Sequence, residues 1–170
     1  MELVGSSVSS MLTSTDERKR LLALATLLRD TSTGSSNIAS LLPLVIQRYI
    51  VPPALDKKGH LMARRLAYQL VRTHPVYGSQ WIAVANAVDR DVQIASTAGA
   101  SNLTAAEVGC VALRTITALP YEHLQEYVRS RWETLVACIS MSKNQTLRFA
   151  AVSCIVSSCT PPPGLEPQER

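Results

Sequence analysis

Apolar residues recur along most of this chain at spacings of three and four, the period of a helix with one buried face. The pattern predicts helices over roughly 16–29, 40–51, 60–73, 79–92, 104–119, 121–141 and 145–158. Thr15 or Asp16 offers an N-cap to the first, and "DTSTGSS" ends it with linker composition. Pro52-Pro53 stops the second, whose Pro43 falls in the first turn, where a missing N–H costs little. Pro75 halts the third, and Ser79 caps the fourth, which gives way to the small-residue loop "QIASTAGASN". Thr104 and Glu107 have capping-box spacing, Pro120 closes the fifth helix, and Asn144 caps the last. "VSCIV" looks strand-like in isolation, but its neighbours at helical spacing and the Asn144 cap make it helix. The expectation is an all-α chain.

One pattern repeats. "RLLALATLL", "RRLAYQLV", "GCVALRTI" and "RFAAVSCI" each place an apolar or small residue beside an alanine, with an apolar residue four positions on. The alanines are Ala23, Ala67, Ala112 and Ala151, separated by 44, 45 and 39 residues. That is the period of HEAT- or armadillo-like helical pairs, about 40–47 residues. A small residue at the closest approach lets two helix axes come within about 8–10 Å. Three of the four alanines have an arginine three places before them. Its stem can cover apolar surface while its head reaches an acid or carbonyl of the adjacent repeat. Arg64 and Arg65 are therefore read as the start of an inner repeat helix rather than as a ligand site. The predicted architecture is a short right-handed α-solenoid over residues 15–159. Residues 1–14 would form a poorly ordered extension or a ragged helix, and 160–170, "TPPPGLEPQER", a flexible proline-rich tail.

Composition fits a folded chain: 46% of the 170 residues are hydrophobic and 18% charged. Net charge is +4, with lysine and arginine scattered except at Arg18-Lys19-Arg20 and Lys57-Lys58. Nucleic-acid binders cluster their charge more strongly. These five residues are candidates for facing an anionic membrane, against the plainer reading of solvated helix faces. Cys110, Cys138 and Cys154 lie in apolar runs and Cys159 beside the proline tail, without any C-x-x-C. Buried free thiols in a reducing compartment follow, rather than zinc ligands. No signal-peptide h-region and no run of about 20 apolar residues is present. A cytoplasmic protein is expected.

Nothing in the sequence assembles catalytic chemistry. His60, His74 and His123 have no Cys or His at ligand spacing and read as satisfied surface histidines. Asp89 and Asp91 lie on different faces of a helix, so they form no carboxylate dyad. Glu122, Glu126 and Glu133 have helical spacing to Arg129 and Arg131, which suits surface ion pairs. Phosphate-loop, nucleophile-elbow, zincin and dinucleotide motifs are lacking. The expectation is no enzyme, with no catalytic residue, metal, cofactor or small-molecule substrate. Trp81 and Trp132 on outer helices are candidate partner contacts, though both could simply pack in the outer layer. Leu147, Phe149 and Ile155 join them, because the last predicted helix has no following repeat to cover it.

The order "RRLAYQLVRTHP", "WIAVANAVDRDV", "VALRTITALP", "LRFAAVSCI" resembles the N-terminal trunk of the large adaptin subunits of vesicle coats. Asp89-Arg90-Asp91 and Ala112-Leu113-Arg114-Thr115 are the matching positions. Trp81, Ala118-Leu119-Pro120 and Asn144 with Leu147-Arg148-Phe149 resemble more specifically the β-adaptin-like TPLATE-type subunits of the TSET or TPLATE endocytic complex. The similarity runs over roughly residues 16–158 and rests on the order and spacing of short motifs. It implies a non-enzymatic scaffold in clathrin-linked endocytosis or post-Golgi traffic. Such a module would be cytoplasmic and peripheral to the plasma membrane or coated vesicles, with other coat subunits as partners. Such subunits are many times longer, with further repeats and an appendage, so contacts carried by those parts are not implied here. The competing expectation is a generic HEAT-repeat module of another cytosolic or nuclear assembly, reaching nucleic acid through its arginines.

Overall fold

Polar side chains, one proline and one glycine decide where the helices start. The computed structural model describes residues 2–31, 38–52, 58–74, 76, 78–98 and 103–164, with the backbone only for 2–6, 58, 59 and 103. Among them the chain forms nine α-helices and no strand. In order these are α1 (Glu2–Leu12), α2 (Glu17–Thr31), α3 (Ile38–Val45), α4 (Lys58–Thr73) and α5 (Ser79–Thr97). There follow α6 (Leu103–Thr117), α7 (Tyr121–Ser130), α8 (Trp132–Met141) and α9 (Gln145–Cys159). Asp16 accepts from the Arg18 amide at 2.9 Å ahead of α2, and Asn144 from the Leu147 amide at 2.9 Å ahead of α9. Each satisfies a donor that the helix ladder leaves orphaned. Pro120 precedes α7, and Gly78 turns the chain into α5 with a φ of 60°, a conformation a side chain would strain.

Cα packing divides the chain into two compact units, Met1–Ala87 and Val88–Arg170, the division falling within α5. In the first, α2 lies between α1 and α4, and α4 also meets α3 and the turn that follows it. Ala23, Leu24 and Leu27 of α2 are buried, as are Ala63, Ala67, Leu70 and Val71 of α4. In the second, α9 is the central helix, packed on α6, α7 and α8. Its Leu147, Ala150, Ala151 and Cys154 are buried, as are Ala112, Leu113 and Ile116 of α6. Spacings of three and four on each helix place these side chains on one face.

Residues 2–12 form a helix, α1, within residues 1–14, where a ragged helix is one of the two expectations. The helix boundaries depart from the sequence pattern at α3, α5 and α7–α8. α3 begins before Ser40, so Pro43 lies inside the helix rather than in its first turn. The chain then widens into a π-helical turn over Ile46–Ile50, closed by the Val51 amide on the Ile46 carbonyl at 2.9 Å. α5 continues past Val92 to Thr97. Ser96 and Thr97 donate to the Val92 and Gln93 carbonyls at 2.7 and 3.1 Å, so these hydroxyls bond along the helix instead of ending it. The single helix predicted over 121–141 is two helices, broken at Arg131, whose φ and ψ are −120° and 20°. Among the described residues no helix is long and apolar enough to cross a membrane.

Candidate functional site

Arg20, Arg48, Tyr49 and Arg64 of Met1–Ala87 reach carbonyls at the ends of helical segments. After α1 the chain leaves four successive carbonyls facing side chains of α2 and the π-helical turn. The Tyr49 hydroxyl donates to Leu12 O, Arg48 to Thr13 O at 3.2 Å, and Arg20 to Ser14 O and Thr15 O at 2.9 and 2.8 Å. The last carbonyls of a helix lack partners inside it and carry its negative dipole end, so cations suit them. Arg64 repeats this arrangement one level on. It is fully buried in α4, donates to Tyr49 O and Pro52 O at 3.0 and 2.7 Å, and lies 5.8 Å from the Tyr68 ring centroid. Burial raises the Tyr49 phenol above its ordinary range, against the opposing pull of Arg20 and Arg48. Arg20, Gln47, Arg48, Tyr49 and His60 line a pocket of about 530 Å³.

Val88–Arg170 solves the same problems with other residues. Tyr121 on α7 donates to Ser158 O at 2.9 Å, capturing a carbonyl in the last turn of α9, and Gln125 reaches the same oxygen at 3.4 Å. Gly109 lets α6 approach α5: a Cβ built there would lie 2.6 Å from the Ala95 Cβ and 3.2 Å from Leu147 Cδ1. Arg131, at the break between α7 and α8, pairs with Asp89 at 3.6 Å, while Asp91 is buried and lies 3.8 Å from Arg90 Nε. The two aspartates thus serve different partners, as their helical spacing requires. Burial holds the Tyr127 phenol well above its ordinary range, and the Cys154 thiol is pushed up to about 12.

All four repeated alanines, Ala23, Ala67, Ala112 and Ala151, are fully buried. α2 packs on α4 and α6 on α9, so each packed pair brings two alanine-bearing helices together. The candidate partner contacts divide. Trp132 and Phe149 are exposed, Phe149 at 71%, and Ile155 is half-buried. Trp81 and Leu147 are buried in the core and offer no contact surface, because the inward face of each helix claims them. Among the membrane-facing candidates, Arg18 and Lys19 are exposed, whereas Arg20 is half-buried and committed to two carbonyls. Lys57 and the side chain of Lys58 lie outside the described residues.

Cys110, Cys138 and Cys154 are buried free thiols and Cys159 is exposed, as their sequence settings suggest. His74 lies close to the Leu70 carbonyl at 3.2 Å and to the Thr73 hydroxyl at 2.9 Å. Among the described residues no three His, Cys, Asp or Glu side chains gather as metal ligands would. The repeat pattern included Gly109 but not its close approach to Ala95, and nothing local marked Arg48, Tyr49 or Tyr121, whose roles depend on helix ends distant in sequence. The sequence matches no protein-family model and no curated protein.

Proposed function

We propose that the chain is a non-enzymatic scaffold module of an adaptor-type vesicle coat, a short right-handed α-solenoid of HEAT- or armadillo-like helical pairs. The observation that carries this reading is the complete burial of Ala23, Ala67, Ala112 and Ala151 on helices that pack pairwise. A repeat with a small residue at its closest helix approach requires that arrangement. The motif order resembling adaptin trunks, and TPLATE-type subunits in particular, supplies the cellular role: clathrin-linked endocytosis through contacts with other coat subunits. The module works in the cytoplasm, peripheral to the plasma membrane or coated vesicles.

The contact face in this reading is α9. Phe149, Val152 and Val156 form an exposed apolar stripe opposite its buried residues. Among the described side chains of α6, by contrast, the exposed ones are Glu107 and Arg114. A helix of a neighbouring coat subunit fits such a stripe. Affinity purification of the tagged chain from its native source tests the proposal. Co-elution of small and medium adaptor chains supports it. Their absence, together with salt-steep binding to DNA or RNA, would favour a generic HEAT-repeat module instead.

A further inference from the structure

Two guanidinium groups in Met1–Ala87 are brought to one pocket. Arg20 from α2 and Arg48 from the π-helical turn line it together with Tyr49, whose hydroxyl donates to Leu12 O. Neither arginine forms an ion pair with a described carboxylate. The carbonyls of residues 13–15 engage one terminal nitrogen of each guanidinium. An arginine has five N–H donors, so the carbonyl bonds fix each fork while leaving other donors for a second acceptor. Both arginines line the same pocket of about 530 Å³, together with the Gln47 amide and the His60 imidazole. No described lining residue is acidic.

We propose that this pocket binds a phosphomonoester, its dianion held between Arg20 and Arg48 with Gln47 and His60 beside them. Two fixed positive charges match one dianion better than a carboxylate or a phosphodiester, which each carry a single charge. Planar guanidinium forks also suit the paired oxygens of a phosphate. The volume exceeds that of the phosphate alone and admits the group esterified to it. The shared chemistry is the monoester, carried by a lipid headgroup or by a soluble metabolite. This site does not rest on the coat reading.

Isothermal titration of the full chain with glycerol 3-phosphate and with its diester, glycerophosphocholine, tests the charge requirement. Sedimentation with phosphatidylcholine vesicles, with and without phosphatidic acid, tests the source. The monoester should bind saturably and the diester should not. Arg48 is exposed, so Arg48→Gln should leave folding intact, as a melting curve checks, while weakening the monoester roughly tenfold or more. Arg48→Lys, which restores charge without the fork, should recover part of the loss. Arg72→Gln removes an exposed charge of α4 outside the pocket and should change nothing. Capture by phosphatidic acid vesicles without binding of the free ester assigns a lipid headgroup, and the reverse assigns a soluble ligand. Equal losses for Arg48→Gln and Arg72→Gln, diester binding as tight as monoester binding, or no binding in either assay would overturn the site.

Discussion

In Met1–Ala87 the residue three positions ahead of each packing alanine is an arginine, Arg20 or Arg64; in Val88–Arg170 the same positions hold Gly109 and Arg148. Arg20 and Arg64 capture carbonyls at the ends of preceding helical segments. Gly109 instead makes room for the close approach to Ala95, and Arg148 is exposed. Whether such an arginine becomes structural depends on what lies within its reach. Where a helix end leaves carbonyls beside the arginine, the side chain is drawn in; in Val88–Arg170 the helix-end carbonyl of Ser158 is taken by Tyr121, and Arg148 stays exposed. The alanine contact is common to both units, and the means of closing helix ends around it differs.

The sharpest way to break this contrast is to remove the two arginines. Arg64→Met keeps most of the volume but leaves Tyr49 O and Pro52 O without their buried donor. It should cost about 2–4 kcal/mol of stability. Arg148→Met should cost no more than about 0.5 kcal/mol, being a surface change. Urea unfolding midpoints at a constant m-value measure both. Equal costs would mean that the arginine pattern carries no structural difference between the units.

Overpacking tests what the units share. Ala67→Leu and Ala112→Leu should each cost about 1–3 kcal/mol, since both sites are fully buried. Gly109→Ala separates the units again. Alanine favours a helix by about 1 kcal/mol over glycine, but its Cβ would meet that of Ala95 at 2.6 Å. The contact should win, leaving a net loss that Ala95→Gly in the same chain partly restores. A stabilised Gly109→Ala protein would show that the close approach relaxes freely.

Alkaline pH should weigh on Val88–Arg170. It buries Cys110, Cys138, Cys154 and Tyr127, each raised by its loss of solvent, as Tyr49 is in Met1–Ala87. The Cys154 thiol ionises near 9.0 when unfolded and about 12 when folded. The unfolded chain therefore releases a proton that the folded chain keeps. Stability is complete below pH 9.0 and falls as pH rises through that window. At about pH 10 this one group should cost about 1 kcal/mol, and Cys154→Ala should flatten the decline from neutral pH by that amount. An unchanged decline in urea unfolding would show that Cys154 ionises without penalty.

Helix identity was legible because the apolar period of α2, α4, α6 and α9 spans several turns of each, and the Asn144 cap is encoded by the residue itself. The alanine spacing pointed to residues that prove fully buried. Less legible were features decided by distant partners. Nothing local distinguishes Arg131 as a break, because its pairing with Asp89 lies across the fold. Small residues after Val92 resembled a loop, yet Ala95 is small because Gly109 lies against it. Trp81 looked like a contact anchor by residue type and Leu147 by its place on the last helix, but the side on which each sits decides exposure.

The smallest expected effect on stability concerns α9, where the units differ in what they leave to solvent. Phe149, Val152 and Val156 are exposed, whereas the alanine-bearing α4 exposes Met62 as its one large apolar side chain. Changing Phe149 and Val156 together to serine removes apolar surface that no described residue covers. Folding should therefore shift by no more than about 0.5 kcal/mol. Self-association of the isolated chain should fall in the same variant, because an exposed apolar stripe is favourable to bury between copies when its natural cover is absent. Sedimentation velocity over a concentration series reads the association, and a melting curve reads the stability. A variant that unfolds more easily and associates as before would place Phe149 and Val156 in the core's service rather than at a contact face. In that event α9 would be as self-contained as α4, and the contrast between the units would reduce to their helix ends.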